Sequence, residues 1–155
     1  MRPGPGKAAF FMVDARFEKY VGEHMDDFAK EVIRLASQPS VSARKEGIEE
    51  CAALVEEMLK ETGATTKVLR IDGAAPLVYR EVKSAKPGKT IMFYNHYDVQ
   101  PEEPLELWRS PPFKPEIRDG VIYGRGVSDD KGELVSRLKI VESYINTAGG
   151  PPCNV

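Results

Sequence analysis

The 155-residue chain carries 22 lysines and arginines against 24 aspartates and glutamates, a formal net charge of −2, and its length suits one domain with a hydrophobic core. This balanced charge offers no footprint for nucleic acid or an anionic membrane, and no apolar run approaches the roughly 20 residues of a membrane-spanning helix. Two cysteines, Cys51 and Cys153, are too few for a disulfide framework or a thiolate zinc site. Composition therefore predicts a cytoplasmic protein without nucleic-acid or membrane partners.

The N-terminal segment, residues 1–13, combines two prolines and two glycines with a short apolar run at residues 8–13. That run is shorter than the roughly 7–15 residues of a signal-peptide core, and no small-residue cleavage site follows it. We therefore expect a disordered leader, followed by one domain over residues 14–155.

Apolar residues at helical spacing predict two helices, over residues 14–37 and 45–62. The first ends ahead of Pro39, since a residue before proline disfavours helical backbone angles, and the second ends at Gly63. His24 lies among charged residues on the first helix, and we assign it to the solvent-facing side rather than to a ligand set. The predicted inward positions are Phe17, Val21, Phe28, Val32 and Leu35 in the first helix and Ile48, Cys51, Val55, Met58 and Leu59 in the second.

Strands are predicted next along the chain. Two runs of β-forming residues, 65–71 and 76–82, are joined by turn residues at 72–75, a pattern typical of a hairpin. Residues 89–95 form a short apolar run, which predicts a strand buried on both faces.

Residues 98–115 contain five prolines and the only tryptophan, which predicts a long loop because proline removes backbone donors. Trp108 and Phe113 either line a substrate pocket or pin this loop onto the core, and we favour the second interpretation. After the loop, Asp119-Gly120 between two apolar runs predicts a tight two-residue hairpin.

A third helix is predicted from Asp130 to about residue 147, followed by a Gly-Gly-Pro-Pro stop. Gly124 and Gly126 precede it, and two glycines do not make a nucleotide-binding fingerprint, so we interpret them as a tight turn. The inward positions of this helix are Leu134, Leu138, Val141 and Ile145. The alternation of helices and strands predicts an α/β fold with a mixed β-sheet flanked by helices.

Three side chains carry the candidate chemistry. His96 and Asp98 end the predicted strand on one face, because side chains alternate along a strand, and Asp129 stands at the start of the third helix. A histidine and carboxylates are ligands of a metal site. Taken singly, His96 is also typical of a core histidine, and Asp98 and Asp129 of a turn former and a helix cap. We interpret Asp130 as that cap and Lys131 as a solvated first-turn residue.

Short motifs follow one another from the end of the predicted strand to the third helix. They are His96-Tyr97-Asp98-Val99-Gln100-Pro101, Trp108, Pro112-Phe113, Asp119-Gly120, Tyr123-Gly124-Arg125-Gly126 and Asp129-Asp130-Lys131-Gly132. In this order and spacing the chain resembles the M20 family of metallopeptidases, most of all its dipeptidase and carboxypeptidase branch. The resemblance covers residues 14–155 and implies the N-terminal part of a zinc-peptidase-like catalytic domain, truncated, without the lid and dimerisation domain or the C-terminal part.

The resemblance also implies residue roles. Members of the family usually hold two zinc ions, and manganese or cobalt fits the same donors. By the resemblance, His96 ligates one ion, Asp129 bridges both, and Asp98 is the catalytic-site carboxylate that orients His96. It further implies a non-proline cis peptide between Asp129 and Asp130.

The function that the resemblance implies is metal-dependent hydrolysis of peptide bonds in dipeptides or short peptides, by an enzyme that is a homodimer when complete. The alternatives are an N-acyl amino acid deacylase of the same family and a truncated, non-catalytic binding module. The family's glutamate general base and its remaining ligands have no counterpart up to Val155, so we expect the isolated chain to be inactive.

Overall fold

The computed structural model describes residues 14–63, 65–86 and 88–155, and the leader predicted for residues 1–13 lies outside them. In chain order the elements are α1 (Ala15–Ser37), α2 (Ile48–Glu61), β1 (Thr66–Leu69), β2 (Leu77–Arg80), β3 (Glu116–Arg118), β4 (Val121–Tyr123) and α3 (Lys131–Ala148). This mixture of helices and short strands confirms the predicted α/β class. No helix of the described residues combines the length and hydropathy of a membrane-spanning segment.

The starts of α1 and α2 have local causes. The Asp14 side chain caps α1 by accepting a hydrogen bond of 2.9 Å from the backbone N–H of Arg16. α2 begins later than the predicted residue 45, because Lys45 and Gly47 both adopt left-handed backbone angles, with φ of 54° and 67°. A Cβ at position 47 would lie 2.1 Å from the carbonyl oxygen of Pro39, so the chain needs glycine there.

Both predicted hairpins are confirmed as antiparallel two-stranded ribbons. The end pairs are Thr66 with Arg80 and Leu69 with Leu77 in β1–β2, and Glu116 with Tyr123 and Arg118 with Val121 in β3–β4. The turn between β3 and β4 consists of Asp119 and Gly120, whose φ angles are 50° and 78°. Two positive φ values are what a type I′ turn requires, which explains the Asp-Gly pair.

Residues 89–95 do not form the predicted strand but make a single β-bridge, and the prediction of burial on both faces is also wrong. In this parallel bridge, the Ile91 N–H donates to the Asn154 carbonyl oxygen at 2.9 Å. The side chains that follow are open to solvent, with Met92 86% and Tyr94 77% exposed. Continuous apolar runs are buried on both faces only where a packed layer covers each side of the sheet.

Helix α3 reaches this segment from one side only, within the part of the chain that the structure describes. The Arg137 guanidinium lies 6.0 Å from the centre of the Phe93 ring and donates to the Tyr94 carbonyl oxygen at 3.0 Å. The residue after Asn154, Val155, exchanges two backbone hydrogen bonds with Val82, of 2.8 and 3.0 Å. Among the described residues, parallel pairing occurs only as isolated bridges, beside the two antiparallel ribbons.

The hydrophobic core lies where the three helices meet. Its buried members are Leu35, Cys51, Val55, Met58, Val135 and Leu138. The inward faces predicted for the helices supply most of them, and Cys51 is a buried, free thiol as expected for a small core residue. This core fixes α3, and with it the residues at the start of that helix.

Lys131 contradicts its interpretation as a solvated residue: it is 0% exposed. Its Nζ donates to the Gln38 carbonyl oxygen at 2.5 Å, at the end of α1, where a helix leaves carbonyl groups without intrahelical donors. Its own backbone N–H donates to the Gly126 carbonyl oxygen at 3.0 Å. Burial lowers the pKa of Lys131, because removal from water disfavours the charged amine.

His24 is also more enclosed than predicted. Its ring stacks on Tyr20 with centroids 4.0 Å apart, and its Nδ1 lies 2.8 Å from the Tyr20 carbonyl oxygen. The Phe28 ring lies near both, with its centroid 6.2 Å from that of His24 and 6.5 Å from that of Tyr20. Residues four apart on a helix share one face, so these three rings form an aromatic stripe rather than a polar surface.

Two glycine substitutions test the close packing at the start of α3. A Cβ at Gly132 would lie 2.0 Å from the Val127 carbonyl oxygen, whereas a Cβ at Gly22, within α1, meets nothing within 4 Å. We expect Gly132→Ala to destabilise the fold by about 1–3 kcal/mol through backbone displacement. Gly22→Ala, the matched control, should stabilise it by about 0.5–1 kcal/mol. Urea unfolding measures both, and a Gly132→Ala variant as stable as the parent contradicts the packing described.

Candidate functional site

The structure brings together the three side chains that the sequence singled out. His96 and Asp98 follow the extended segment 89–95, and Asp129 immediately precedes the start of α3. The His96 Nε2 lies 3.0 Å from Asp129 Oδ1, although the two residues are 33 positions apart. On the other side of the ring, Nδ1 lies 3.0 Å from the Asp98 carbonyl oxygen and 3.2 Å from Asp98 Oδ1. The imidazole is therefore held between two aspartates.

A small cavity of about 50 Å³ opens at these side chains. Its lining residues are His96, Asp98, Val99, Gln100, Arg125 and Asp129. A larger cavity, of about 370 Å³, lies between the end of α2 and α3 and contains the Lys139–Glu142 ion pair, 2.7 Å long. No histidine lines the larger cavity. The larger cavity is therefore not the one that contains the candidate metal ligands. We place the site at the smaller cavity, because donor atoms that bind metal converge there.

The electrostatics of His96 follow from its neighbours. Partial burial opposes a charged ring, but the Asp98 carbonyl, the Asp129 carboxylate and the charges of both aspartates favour it, and together they raise the pKa of His96 above its ordinary value. Both ring nitrogens face oxygen acceptors, so the protonated imidazole satisfies both contacts at once. A metal ion at Nε2 has to displace that proton.

Asp130 behaves differently from the helix cap that the sequence predicted. It occupies the N-cap position of α3, but its side chain makes no capping hydrogen bond. Its Oδ2 instead accepts from Asn95 Nδ2 at 2.8 Å and from the His96 backbone N–H at 3.1 Å. The peptide bond between Asp129 and Asp130 is cis, as the resemblance implied.

The proline-rich loop after Asp98 is tied down beside the cavity. Trp108 Nε1 donates to the Glu102 carbonyl oxygen at 2.6 Å, and the Arg125 guanidinium lies 5.2 Å from the centre of the Trp108 indole. The Glu102 carboxylate accepts two hydrogen bonds from Arg44, at 2.9 and 2.7 Å. These contacts support the interpretation of Trp108 as a residue that pins the loop.

Sequence reasoning missed Arg125 as part of the site. Its Nη2 donates to the Pro101 carbonyl oxygen at 3.0 Å, and the residue lines the cavity of His96. The Gly-Arg-Gly pattern was the available signal, because Gly126 has a φ of 81° and lets the chain turn sharply next to Val99. That turn directs the Arg125 side chain toward the loop.

The donor chemistry fits a metal ion in part. An imidazole nitrogen and a carboxylate oxygen face one another, which are donors that zinc accepts, and Asp98 stands behind the imidazole as metal-bound histidines require. Within residues 14–63, 65–86 and 88–155, no cluster of three or more histidine, cysteine or acidic side chains is arranged to hold an ion. The two predicted ligands that the structure brings together, His96 and Asp129, are fewer than the roughly three protein ligands of a catalytic zinc.

The raised pKa of His96 gives a measurable pH dependence. In chelator-treated protein we expect the His96 ring to titrate above about 6.5, the value of a free side chain, and Asp129→Asn to lower that pKa. Because the folded pKa is the higher one, this contribution to stability is complete below the unfolded pKa and is lost as pH rises through the folded pKa. Proton NMR follows the titration, and His24→Gln leaves one imidazole signal, since the chain has two histidines. A His96 pKa at or below the free value contradicts the described contacts.

Comparison with known proteins agrees with this geometry. The family model described as peptidase family M20/M25/M40 matches residues 92–155, the part that holds all three candidate residues. A succinyl-diaminopimelate desuccinylase of Dechloromonas aromatica is 36% identical over 119 residues, which cover 77% of this chain and 29% of that protein. The desuccinylase of an Azoarcus species is 37% identical over 111 residues, covering 72% of this chain and 28% of its own length. The chain thus spans less than a third of these relatives.

Solved structures show the same fold. An M20 family metallo-carboxypeptidase from Sulfolobus solfataricus is similar with a TM-score of 0.73 and 32% identity, over 92% of this chain and 30% of that one. Human carnosine dipeptidase 1 is similar with a TM-score of 0.76 and 25% identity, over 91% of this chain and 33% of its own. Family model, sequence relatives and structural neighbours agree, and the chain is similar to peptidase family M20/M25/M40.

Proposed function

We propose that this chain supplies part of the metal centre of a hydrolase that cleaves peptide bonds in dipeptides or short peptides. The observation that carries the proposal is the 3.0 Å approach of His96 Nε2 to Asp129 Oδ1, with Asp98 against the opposite ring nitrogen. A histidine that only fills the core does not need an aspartate at each of its two ring nitrogens. The similarity of residues 92–155 to the peptidase family M20/M25/M40 supports the same proposal.

The roles follow from the contacts. His96 offers Nε2 to one ion, while the Nδ1 proton donates to Asp98, which fixes the tautomer and strengthens the nitrogen as a ligand. Asp129 has two carboxylate oxygens, and its side chain is 84% exposed, so it is free to contact two ions at once. A pair of zinc ions, when bound, would polarise the scissile carbonyl group and lower the pKa of bound water. Manganese and cobalt suit the same donors.

The remaining groups of the reaction are proposed to come from outside these residues. General acid–base catalysis is worth about 10²–10⁴-fold, and the described residues hold no group of three or more acidic, cysteine or histidine side chains arranged to hold an ion. We therefore propose that the isolated chain is inactive and that hydrolysis belongs to a polypeptide or complex that contains the missing ligands. We further propose that such a complete enzyme is a cytoplasmic homodimer.

A second candidate is removal of an acyl group from an N-acyl amino acid. Two of the sequence relatives are named desuccinylases, whereas the structural neighbours include a carboxypeptidase and a dipeptidase. Both reactions hydrolyse an amide bond, and the proposed metal centre suits either. The alternative to either is a binding module without catalysis, which would have no need for an ion at His96.

Metal binding tests the centre directly. We expect weak binding of Zn²⁺ by the purified chain, and a loss of about tenfold or more in affinity in His96→Ala and Asp129→Ala, because each removes one of two ligands. His24→Ala is the matched control, since that imidazole stacks on Tyr20 outside the site. Isothermal titration calorimetry measures the affinities, and equal affinities for the His96 and His24 variants contradict the proposed centre.

An amide panel tests the reaction. The purified chain with added Zn²⁺ should hydrolyse neither dipeptides nor N-acyl amino acids, because we propose that the general base comes from outside the described residues. The protein isolated from its native source, with any polypeptide that copurifies, should hydrolyse dipeptides faster than N-succinyl or N-acetyl amino acids. The reverse preference favours the deacylase, and turnover by the isolated chain overturns the proposed division of the active site.

A further inference from the structure

We propose that Asp130 is a positioning residue that holds the backbone of His96 at the metal centre, an inference that rests on the proposed function only in its consequence for metal binding. Asp130 stands where a helix cap belongs, yet its side chain caps nothing in α3. Its Oδ2 reaches back across 34 and 35 residues to the His96 N–H, at 3.1 Å, and Asn95 Nδ2, at 2.8 Å. Because the Asp130 carboxylate binds these two distant donors and not the N–H groups of α3, we infer that its role is to hold Asn95 and His96 in place.

We call the two hydrogen bonds from Asn95 and His96 to Asp130 the clamp. The segment before His96 has few other restraints. Met92 and Tyr94 are 86% and 77% exposed, so packing restrains this part of the chain little. The nearest backbone tie earlier in the segment is that of Ile91 N–H to the Asn154 carbonyl oxygen, 2.9 Å. Arg137 adds one bond of 3.0 Å to the Tyr94 carbonyl. The carboxylate of Asp130 then fixes the last two residues, and hydrogen bonds to a charged acceptor are stronger than neutral ones.

The other end of the clamp is rigid. Lys131, the next residue, is fully buried and donates through Nζ to the Gln38 carbonyl oxygen at the end of α1. Gly132 lies so close to the Val127 carbonyl oxygen that a Cβ would come within 2.0 Å of it. The start of α3 therefore cannot rotate or slide, and Asp130 transfers this fixed position to His96.

The clamp sets the distance between the two proposed ligands. Asp129 is joined to Asp130 by a peptide bond, and the His96 N–H donates to the Asp130 carboxylate, so one residue links the two backbones. The 3.0 Å contact between His96 Nε2 and Asp129 Oδ1 then needs only the side-chain torsions to be correct. Residues that orient metal ligands without touching the ion typically change metal affinity about 10–100-fold when they are replaced.

Asp130→Ser separates positioning from capping. Serine caps helices about as well as aspartate, so helix stability is retained, but the shorter side chain cannot reach Asn95 or His96. We expect the hydrogen–deuterium exchange rate of the His96 amide, followed by ¹⁵N NMR in metal-free protein, to rise about tenfold or more relative to the amides of α3. The matched control is Asp14→Ser at the cap of α1, which should leave the His96 amide unchanged.

Asn95→Ala gives a second route, because it removes the other donor from the same carboxylate without altering α3. We expect a smaller rise in His96 amide exchange from this variant, and less than additive effects when it is combined with Asp130→Ser. Unchanged His96 exchange in both single variants, with α3 intact, overturns the positioning role.

Zinc titration of the same variants distinguishes the two proposals. A loss of Zn²⁺ affinity of about 10–100-fold in Asp130→Ser, together with faster His96 exchange, supports both the positioning role and the metal centre. Faster exchange in a chain whose unsubstituted form binds no Zn²⁺ at His96 supports the positioning role and contradicts the proposed function. Unaltered exchange with normal Zn²⁺ binding contradicts the positioning role alone.

Discussion

The contact between His96 and Asp129 is the constraint on which the site depends. It joins the end of an extended segment to the start of α3 at a distance of 3.0 Å, between residues 33 positions apart in sequence. Asp98 holds the opposite edge of the imidazole, so the ring has one nitrogen committed to orientation and the other directed at a carboxylate. That arrangement favours a protonated ring in the absence of metal, and it suits the role that we propose for Nε2 as a metal ligand. The remainder of the chain keeps these two segments in contact.

Two kinds of support surround this contact, and they differ in strength. The helical side is well packed: the shared core of α1, α2 and α3 holds the start of α3, and buried Lys131 ties it to the end of α1. The strand side is held mainly by hydrogen bonds, because Met92 and Tyr94 are open to solvent. The difference explains why Asp130, at the junction, matters to the geometry of His96.

Sequence reasoning recovered the elements that local rules specify. The three helices, both hairpins and the Asp119-Gly120 turn follow from spacing, caps and positive φ angles, which neighbouring residues determine. The approach of His96 to Asp129 was foreseen through the family resemblance and through strand alternation that put His96 and Asp98 together. Local patterns, by themselves, did not specify that distance.

The errors share one physical cause, which is that burial and partners are set by tertiary packing. Lys131 looks like a solvated helix residue until the end of α1 supplies a carbonyl acceptor, and Asp130 looks like a cap until Asn95 and His96 compete for it. Residues 89–95 have the composition of a strand covered on both faces, but composition records what a segment can tolerate and not which neighbours are present. His24 was misplaced because charged residues flank it in sequence, whereas Tyr20 and Phe28 flank it on the helix face.

The most direct test of the central claim is a crystal structure of the chain grown with Zn²⁺, with the ion located from anomalous scattering at the zinc edge. The account predicts an anomalous peak about 2.0–2.2 Å from both His96 Nε2 and an Asp129 carboxylate oxygen, with His96 Nδ1 still hydrogen-bonded to Asp98. A structure in which zinc binds elsewhere, or in which the His96 ring and the Asp129 carboxylate lie too far apart to share an ion cluster, contradicts it.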